Sequence, residues 1–356
     1  MKPQIKKRKS RKIISIILFV IAMIVLILGY FQLFYQPELV KGGMVKASTI
    51  FKAHTAKLRG VRFSQDSEMV LSSSVDSTIR IWKKQTGEVI RTLRHPAGVT
   101  YVDISPDGNY IVSGSYDAVV RLWRIQDGLL LKEFIGHKAT VWSVAFGPDG
   151  KNIASSGDDA LINIWDIGSG ELVRTLQGHK RTIWSVKFSP DGKNIASAGF
   201  DETIKIWNLS NGNLIENNNE HTAAIVDIAY NYDGTTLAST SDDKTIKLWK
   251  MPEMKLIRTM KVVEHVQAAA FSPDGKRLVT AGRDKPMIGE FLQEFFGDSE
   301  FNKGVSMRLW EVQTGKLMQT FTVHSNDVND VAYSKDGSWI ASASEDNTVR
   351  IWQVVK

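Results

Sequence analysis

Tryptophan recurs along this chain at a nearly constant interval. The recurring residues are Trp82, Trp123, Trp165, Trp207, Trp249, Trp310 and Trp352, spaced by 41, 42, 42, 42, 61 and 42 residues. An aspartate stands six residues before most of them, at Asp76, Asp117, Asp159, Asp201, Asp243 and Asp346. Before Trp310 the corresponding Asp284 is 26 residues away, so that unit carries an insertion of 20 residues at about 285–304. A fixed period of this length indicates a chain of repeated supersecondary units.

Each unit contains four short apolar runs separated by turn residues. In the third unit the runs are 143–146, 153–155, 162–165 and 171–176, and Asp149-Gly150 separates the first two. The runs are rich in β-branched and apolar residues, and Asp-Gly supplies the positive φ that a tight hairpin needs. Each unit therefore predicts four short strands.

Histidine and hydroxyl residues follow the same period. The histidines are His54, His95, His137, His179, His221 and His324. In the unit with the insertion, Val262 occupies the histidine position and His265 lies three residues further on. A hydroxyl residue stands four positions before every repeated aspartate, at Ser72, Ser113, Ser155, Ser197, Ser239, Thr280 and Ser342.

Four strands per unit, a period near 42, tryptophan at the end of the third strand and histidine before the first resemble the WD40 family of β-propellers. The resemblance covers about residues 46–356, although Gly-His is literal only at residues 136–137 and 178–179, and Trp-Asp only at 165–166. It implies that His, Ser or Thr, Asp and Trp form a buried hydrogen-bonded set in each blade. Two examples are His137, Ser155, Asp159 and Trp165, and His179, Ser197, Asp201 and Trp207.

The two ends of the repeat region determine the predicted number of blades. The chain reaches Lys356 just after the third strand of the last unit, and residues 46–52 match the missing fourth strand, with Phe51 aligned to Leu176. Closing the ring with this strand removes exposed sheet edges. The predicted fold is all-β, a seven-bladed WD40-type propeller closed by the N-terminal strand and preceded by one transmembrane helix.

The predicted transmembrane helix is residues 13–35, a run of 23 residues without charge. As a helix it covers roughly 34 Å, enough for a hydrocarbon core of about 30 Å. Residues 1–12 contain seven basic residues and no acidic one, so the positive-inside rule predicts a basic cytoplasmic tail, a linker at 36–45 and a propeller on the extracytoplasmic side. A cleaved signal peptide, with a mature N-terminus near Ser48, is the alternative; its apolar region is normally shorter, which favours a retained signal-anchor.

Charge and composition argue against several functions. The net charge of +7 arises from the N-terminal tail, and the remaining 38 basic and 38 acidic residues cancel. A neutral body lacks the field that attracts phosphates, so nucleic acid is not an expected partner. The chain has no cysteine, and six of its seven histidines belong to the repeat. We find no phosphate loop, nucleophile elbow or zinc spacing, and expect neither an enzyme nor a cofactor or metal.

Aromatic residues mark one face of the predicted ring. In the family it resembles, the loops from fourth to first strand and from second to third strand lie on one face, where partners commonly dock. The motif places Tyr116, Trp142, Trp184 and Phe200 on this top face, in blades 2 to 4. Either these rings form a partner-binding patch, or they pack against one another and seal the face. Charged residues of both signs surround them: Lys57, Arg59, His265, Arg283, Asp327 and Glu345.

The insertion carries an apolar stripe of helical spacing, made of Ile288, Phe291, Leu292, Phe295 and Phe296. It either covers the mouth of the ring or presents this stripe to a partner, so Phe291 and Phe295 join the candidate partner-binding residues.

These features together predict a non-catalytic protein–protein interaction scaffold at a membrane surface, binding through its top face. Ten linker residues reach at most roughly 33 Å, so membrane-associated proteins are the expected partners. A carbohydrate or cell-wall binder that stacks sugars on the same tryptophans is an alternative, and a propeller hydrolase built on Asp and Glu is a third.

Overall fold

A computed structural model describes residues 45–282, 306–322 and 324–355 of the chain. All of them belong to a compact unit, Met44–Lys356. The predicted tail, transmembrane helix and all but the last linker residue lie outside the described residues, as do Arg283, Phe291 and Phe295 of the insertion region. Among the described residues, no helix has the length and apolar character needed to cross a membrane.

Seven four-stranded antiparallel sheets make up the described structure. Blade 1 is β2 (Leu58–Phe63), β3 (Met69–Ser74), β4 (Thr78–Lys83) and β5 (Val89–Arg94). Blade 2 is β6 (Val99–Ile104), β7 (Tyr110–Ser115), β8 (Val119–Arg124) and β9 (Leu130–Ile135). Blade 3 is β10 (Val141–Phe146), β11 (Asn152–Gly157), β12 (Leu161–Asp166) and β13 (Leu172–Gln177).

The remaining blades repeat this order. Blade 4 is β14 (Ile183–Phe188), β15 (Asn194–Gly199), β16 (Ile204–Asn208) and β17 (Leu214–Asn218). Blade 5 is β18 (Ile225–Tyr230), β19 (Thr236–Ser241), β20 (Thr245–Lys250) and β21 (Lys255–Lys261). Blade 6 is β22 (Val266–Phe271), β23 (Arg277–Gly282), β24 (Met307–Glu311) and β25 (Leu317–Phe321). Blade 7 is β26 (Val328–Tyr333), β27 (Trp339–Ser344), β28 (Thr348–Val354) and β1 (Val45–Lys52).

The blades form a closed ring. The first strand of each blade contacts the first strands of both neighbouring blades, and blade 7 contacts blade 1 through β26 and β2. β1 pairs antiparallel with β28, with Phe51 opposite Val349. The predicted seven-bladed all-β propeller is therefore confirmed, with the N-terminal strand completing the last blade. This strand begins at Val45, one residue before the predicted boundary.

The apolar core lies between adjacent blades and contains one repeat tryptophan at each interface. At the closure, Phe51 of blade 7 is 1% exposed and stacks on Trp82 of blade 1 with ring centroids 5.3 Å apart. Burial of such large rings stabilises each interface by about 2 to 3 kcal/mol per ring. The tryptophan period is thus the period of interblade packing.

The hairpin turns behave as the sequence predicts. The glycine of each Asp-Gly turn has φ between 68° and 75°, a conformation open to glycine at little cost: Gly108, Gly150, Gly192, Gly234, Gly275 and Gly337. Blade 1 has Ser67 at this position, with φ 62°. These turns join first to second strands, so they lie on the face opposite the predicted top face.

Candidate binding site on the top face

The repeated polar residues of blade 3 form a buried chain of hydrogen bonds. Trp165 Nε1 donates to Ser155 Oγ at 2.8 Å, and Ser155 Oγ lies 2.8 Å from His137 Nε2. His137 Nδ1 lies 2.9 Å from Asp159 Oδ2. With the proton on Nδ1, the imidazole donates to Asp159 and accepts from Ser155, so each of these polar atoms has a partner. These hydrogen bonds fix the loop that precedes blade 3 to the second and third strands of the blade.

The same arrangement recurs in blade 4. Trp207 Nε1 donates to Ser197 Oγ at 2.8 Å, Ser197 lies 2.7 Å from His179 Nε2, and His179 Nδ1 lies 3.0 Å from Asp201. Burial raises the pKa of Asp201, but the hydrogen bond and charge of His179, together with hydrogen bonds from the backbone of Lys180 and the hydroxyl of Thr203, hold this pKa well below the usual range. Blades 1, 5 and 7 contain equivalent sets, which are joined at His54, His221 and His324.

Blades 2 and 6 depart from the expected set. In blade 2, His95 Nε2 lies 2.9 Å from Ser113, but Asp117 pairs with Arg121 at 2.8 Å. His95 Nδ1 is therefore buried without a partner among the described residues. Burial, and then the charge of Arg121, lower the pKa of His95 to about 4. Blade 6 has Val262 in place of the histidine, and its Asp284 lies outside the described residues; of the set, the described part of this blade contains the bond from Trp310 Nε1 to the hydroxyl of Thr280, at 3.0 Å.

The four predicted aromatic residues form two edge-to-face pairs. Tyr116 and Trp142 have ring centroids 5.5 Å apart at an interplanar angle of 82°, and Trp184 and Phe200 have centroids 5.5 Å apart at 89°. Phe200 remains 41% exposed, while the other three rings are half-buried. The rings thus pack in pairs, and one ring of each pair, Trp142 and Trp184, lines an open depression.

This depression, the top-face funnel, has a volume of about 320 Å³. It is lined by Arg59, Thr100, Tyr101, Trp142, Trp184, Val226, Asp227, Asp242, Gln267, Ala268, Asn329 and Asp330. Residues of all seven first strands contribute, so the funnel is the upper mouth of the ring's central channel. A cleft that mixes indole rings with a few polar groups is typical of binding sites.

A β-bulge in every blade directs a side chain into the funnel. In β10 the pairing register shifts between Val141 and Ser143, and in β14 between Ile183 and Ser185. The residues at these bulges are Trp142 and Trp184. The equivalent shift occurs in the first strand of each other blade, and all seven bulge residues line the funnel. Bulges re-aim side chains, which explains why the second residue of each first strand faces the mouth.

A buried network of charges lies beneath the funnel. Arg62 Nη1 donates to Asp330 at 2.7 Å, and Arg62 also donates to the hydroxyl of Tyr101. Lys187 Nζ donates to the same hydroxyl at 2.7 Å and lies 4.0 Å from Asp227. Burial opposes the charge of Arg62, but Asp330, together with Tyr101, Asp103 and Asp227, raises the pKa of Arg62 above its usual value. Each side chain of this network has a polar partner in the described structure. Together they form a polar floor beneath the funnel.

Sequence reasoning missed this floor, although the sequence contains a signal for it. The first strand of each blade is apolar apart from a few positions, and Arg62, Asp103, Lys187, Asp227 and Asp330 all fall within these strands. A charge inside an otherwise buried strand requires a partner nearby. Once the first strands are placed around one axis, the charges of opposite sign can be expected to meet there.

The predicted charged residues form separate contacts at the rim. Lys57 Nζ lies 2.6 Å from Glu345 Oε2, and Arg59 lies 3.9 Å from the same carboxylate. His265 Nε2 lies 3.7 Å from Asp327, and this interaction raises the pKa of His265 above its ordinary value. In the parts of blades 1 to 7 that the structure describes, no group of three or more His, Asp or Glu is arranged to hold a metal ion.

Comparison with known proteins agrees with this architecture. The family model described as WD domain, G-beta repeat matches seven segments: 45–83, 87–124, 128–166, 170–208, 212–250, 254–285 and 315–353. The chain belongs to the WD40 repeat family.

Individual relatives match over short stretches. Protein HIRA of Gallus gallus is 36% identical over 91 residues, 26% of this chain and 9% of HIRA. WD repeat-containing protein 36 of Homo sapiens is 28% identical over 94 residues, 26% of this chain and 9% of that protein. Target of rapamycin complex subunit wat1 of Schizosaccharomyces pombe is 40% identical over 50 residues, 14% of this chain and 16% of that protein. The match thus spans less than a fifth of each relative.

Proposed function

We propose that this protein is a non-catalytic protein-interaction scaffold, displayed at a membrane surface and binding partners through its top face. The observation that carries the proposal is the top-face funnel, whose wall contains one tryptophan of each aromatic pair, Tyr116–Trp142 and Trp184–Phe200. A ring of WD40 repeats is a common protein-binding architecture, and one relative is by its printed name a subunit of a protein complex.

The rigidity of the top face supports a binding role. The hydrogen-bonded sets of blades 3 and 4 hold the loops beside the aromatic pairs, and the serines at their centres, Ser155 and Ser197, are fully buried. A surface fixed before binding loses little conformational entropy when a partner docks. Aromatic rings suit such a surface, because each ring buries a large area on binding and has few rotatable bonds.

Membrane display rests on the sequence. The uncharged run 13–35 follows a basic tail, and only about ten residues separate it from β1. Because the linker is so short, the proposed partners are proteins in or near the same membrane. Fractionation of cells followed by protease shaving tests this placement: we expect a membrane-bound chain whose propeller is cleaved only from the extracytoplasmic side. A propeller protected from external protease refutes the proposed orientation.

Partner binding is tested with full-length chain isolated after chemical cross-linking in cells. The variant Trp142→Ala with Trp184→Ala removes the two indoles of the funnel, and Tyr232→Ala, in a turn on the opposite face, is the control because Tyr232 is 53% exposed. We expect the yield of cross-linked partners to fall at least about tenfold in the tryptophan variant, which corresponds to a loss of about 1.4 kcal/mol of binding free energy. Unchanged partner yield in a folded tryptophan variant contradicts the proposal.

A carbohydrate-binding function is the second candidate. The funnel places the side chains of Asp242, Gln267 and Asn329 in the same pocket as Trp142 and Trp184, and hydroxyl-bonding groups beside indoles suit a sugar ring. Glycan-array binding that is abolished by the tryptophan variant, in a chain without cross-linked protein partners, supports this candidate over the scaffold.

A further inference from the structure

The two tryptophans of the top-face funnel differ in what already contacts them. Trp142 Nε1 donates to Asp158 at 2.6 Å, and the guanidinium of Arg59 lies 6.0 Å from the ring centroid of Trp142. Trp184 packs its ring edge-to-face with Phe200, and no described residue accepts a hydrogen bond from its indole nitrogen. Trp184 is therefore the indole that the protein leaves available on the funnel wall.

The carboxylates of the funnel differ in the same way. Asp227 accepts hydrogen bonds from Ser185 at 2.8 Å and from the backbone of Ala269 at 3.2 Å. Asp330 is paired with Arg62 at 2.7 Å. Both therefore belong to the floor and have their partners.

Asp242 is the carboxylate that remains. It lies on blade 5, next to the blade of Trp184, and lines the same funnel. Among the described residues none donates a hydrogen bond to its side chain. Partial burial raises the pKa of Asp242, and the charge of His265, which pairs with Asp327, opposes this shift. A partly desolvated carboxylate without a donor is stabilised by an incoming cation. Arg59, the cationic member of the described funnel lining, lies 3.9 Å from Glu345 and 6.0 Å from the ring centroid of Trp142, and its buried Nε has no hydrogen-bond partner among the described residues.

We propose that the funnel accepts a basic side chain, lysine or arginine, of the partner protein, which lies against the indole of Trp184 and pairs with Asp242. This inference rests on the proposed scaffold function and specifies the chemistry of its partner. The indole face attracts a cation, and the carboxylate adds a charge-assisted hydrogen bond. The volume of about 320 Å³ accommodates one long side chain above the paired groups of the floor.

An anionic group is a poor fit for this position. Arg62 and Lys187 donate hydrogen bonds within the floor and lie within 4.0 Å of Asp330 and Asp227, and Arg59 lies 3.9 Å from Glu345. An anion would meet Asp242 at the wall. A basic side chain can pair with Asp242, to which no described residue donates a hydrogen bond, although the charge of His265 lies nearby.

The test uses the full-length chain in detergent and two small probes, N-acetyl-arginine methylamide and its uncharged analogue N-acetyl-citrulline methylamide. Ligand-observed NMR measures the affinity of each. We expect the arginine probe to bind with a Kd of order 1 mM and the citrulline probe to bind at least about tenfold more weakly. Equal affinity of the two probes overturns the inference. So does the absence of binding by either probe at about 10 mM, which is tenfold above the expected Kd.

Two matched variants locate the effect. Asp242→Asn is expected to weaken arginine binding about tenfold, whereas Glu88→Gln, which removes the same charge at an exposed position on the opposite face, leaves it within about twofold. Equal loss in both variants shows only a general field and refutes the pairing with Asp242. This inference can fail while the scaffold proposal stands. That is the outcome if partner cross-linking depends on Trp184 but the arginine probe does not bind.

Discussion

His95 makes the stability of blade 2 sensitive to acid. It is 7% exposed, and its Nδ1 has no partner in the described structure because Arg121 pairs with Asp117. Burial lowers the pKa of His95 from 6.5 to about 4 in the folded protein. As pH falls below 6.5 the unfolded chain therefore binds a proton that the folded chain does not. This contribution to stability is intact above pH 6.5 and is lost as pH falls towards 4.

The size of the effect follows from the difference between the two pKa values. Each pKa unit corresponds to 1.36 kcal/mol, so His95 alone costs about 2 kcal/mol of stability at pH 5 and about 3 kcal/mol at pH 4. No discount for solvent is needed because the ring is buried. His54, His221 and His324 also have lowered pKa values and add acid sensitivity of the same sign.

The variant His95→Val isolates this contribution, since blade 6 already has Val262 in the equivalent position. Urea unfolding of the full-length chain in detergent, followed by tryptophan fluorescence at pH 7, 6 and 5, gives the free energy of unfolding of each protein. The variant is expected to lose about 2 kcal/mol less than the wild type between pH 7 and pH 5, because the other histidines cancel in the comparison. Identical pH dependence of the two proteins refutes the assignment to His95.

Three further substitutions test other parts of the structure in the same unfolding assay. Ser155→Ala leaves the buried Trp165 N–H and His137 without their partner and should lower the free energy of unfolding by about 2 to 5 kcal/mol. The exposed control Ser325→Ala should lower it by less than about 0.5 kcal/mol. A loss no greater than that of the control contradicts the hydrogen-bonded set. Ala160→Gly relieves a φ of 60° and should stabilise by about 1 kcal/mol, so a loss of stability argues against this backbone conformation. His265→Gln should lose stability at pH 5.5 and not at pH 8, because the raised pKa of His265 contributes stability only below the pH at which its ring deprotonates; equal effects at both pH values oppose the ion pair with Asp327.

The fold was predictable from the sequence because its determinants are periodic. One tryptophan per unit packs at each interface, and the match of Phe51 to Leu176 predicted which strand completes blade 7. Periodicity does not predict which of two possible partners a side chain binds. The pairing of Asp117 with Arg121 depends on side-chain rotamers, which the spacing of the residues does not reveal.

The candidate site was predictable only in part, for a related reason. The motif indicated that Trp142 and Trp184 lie on the top face, but their convergence on one funnel depends on bulges and on the placement of seven first strands around one axis. The pairing of Arg62 with Asp330 joins residues that are far apart in the sequence. Contacts of this kind follow from the closed ring and cannot be derived from any one unit.

The central claim is that partners bind the top face at the funnel. A photo-reactive amino acid placed at Phe200, beside the funnel, or at Tyr232, on the opposite face, tests it in living cells, because both positions are exposed. We predict that irradiation cross-links the full-length chain to a partner protein from position 200 and not from position 232. Adducts formed from position 232 alone would contradict the claim.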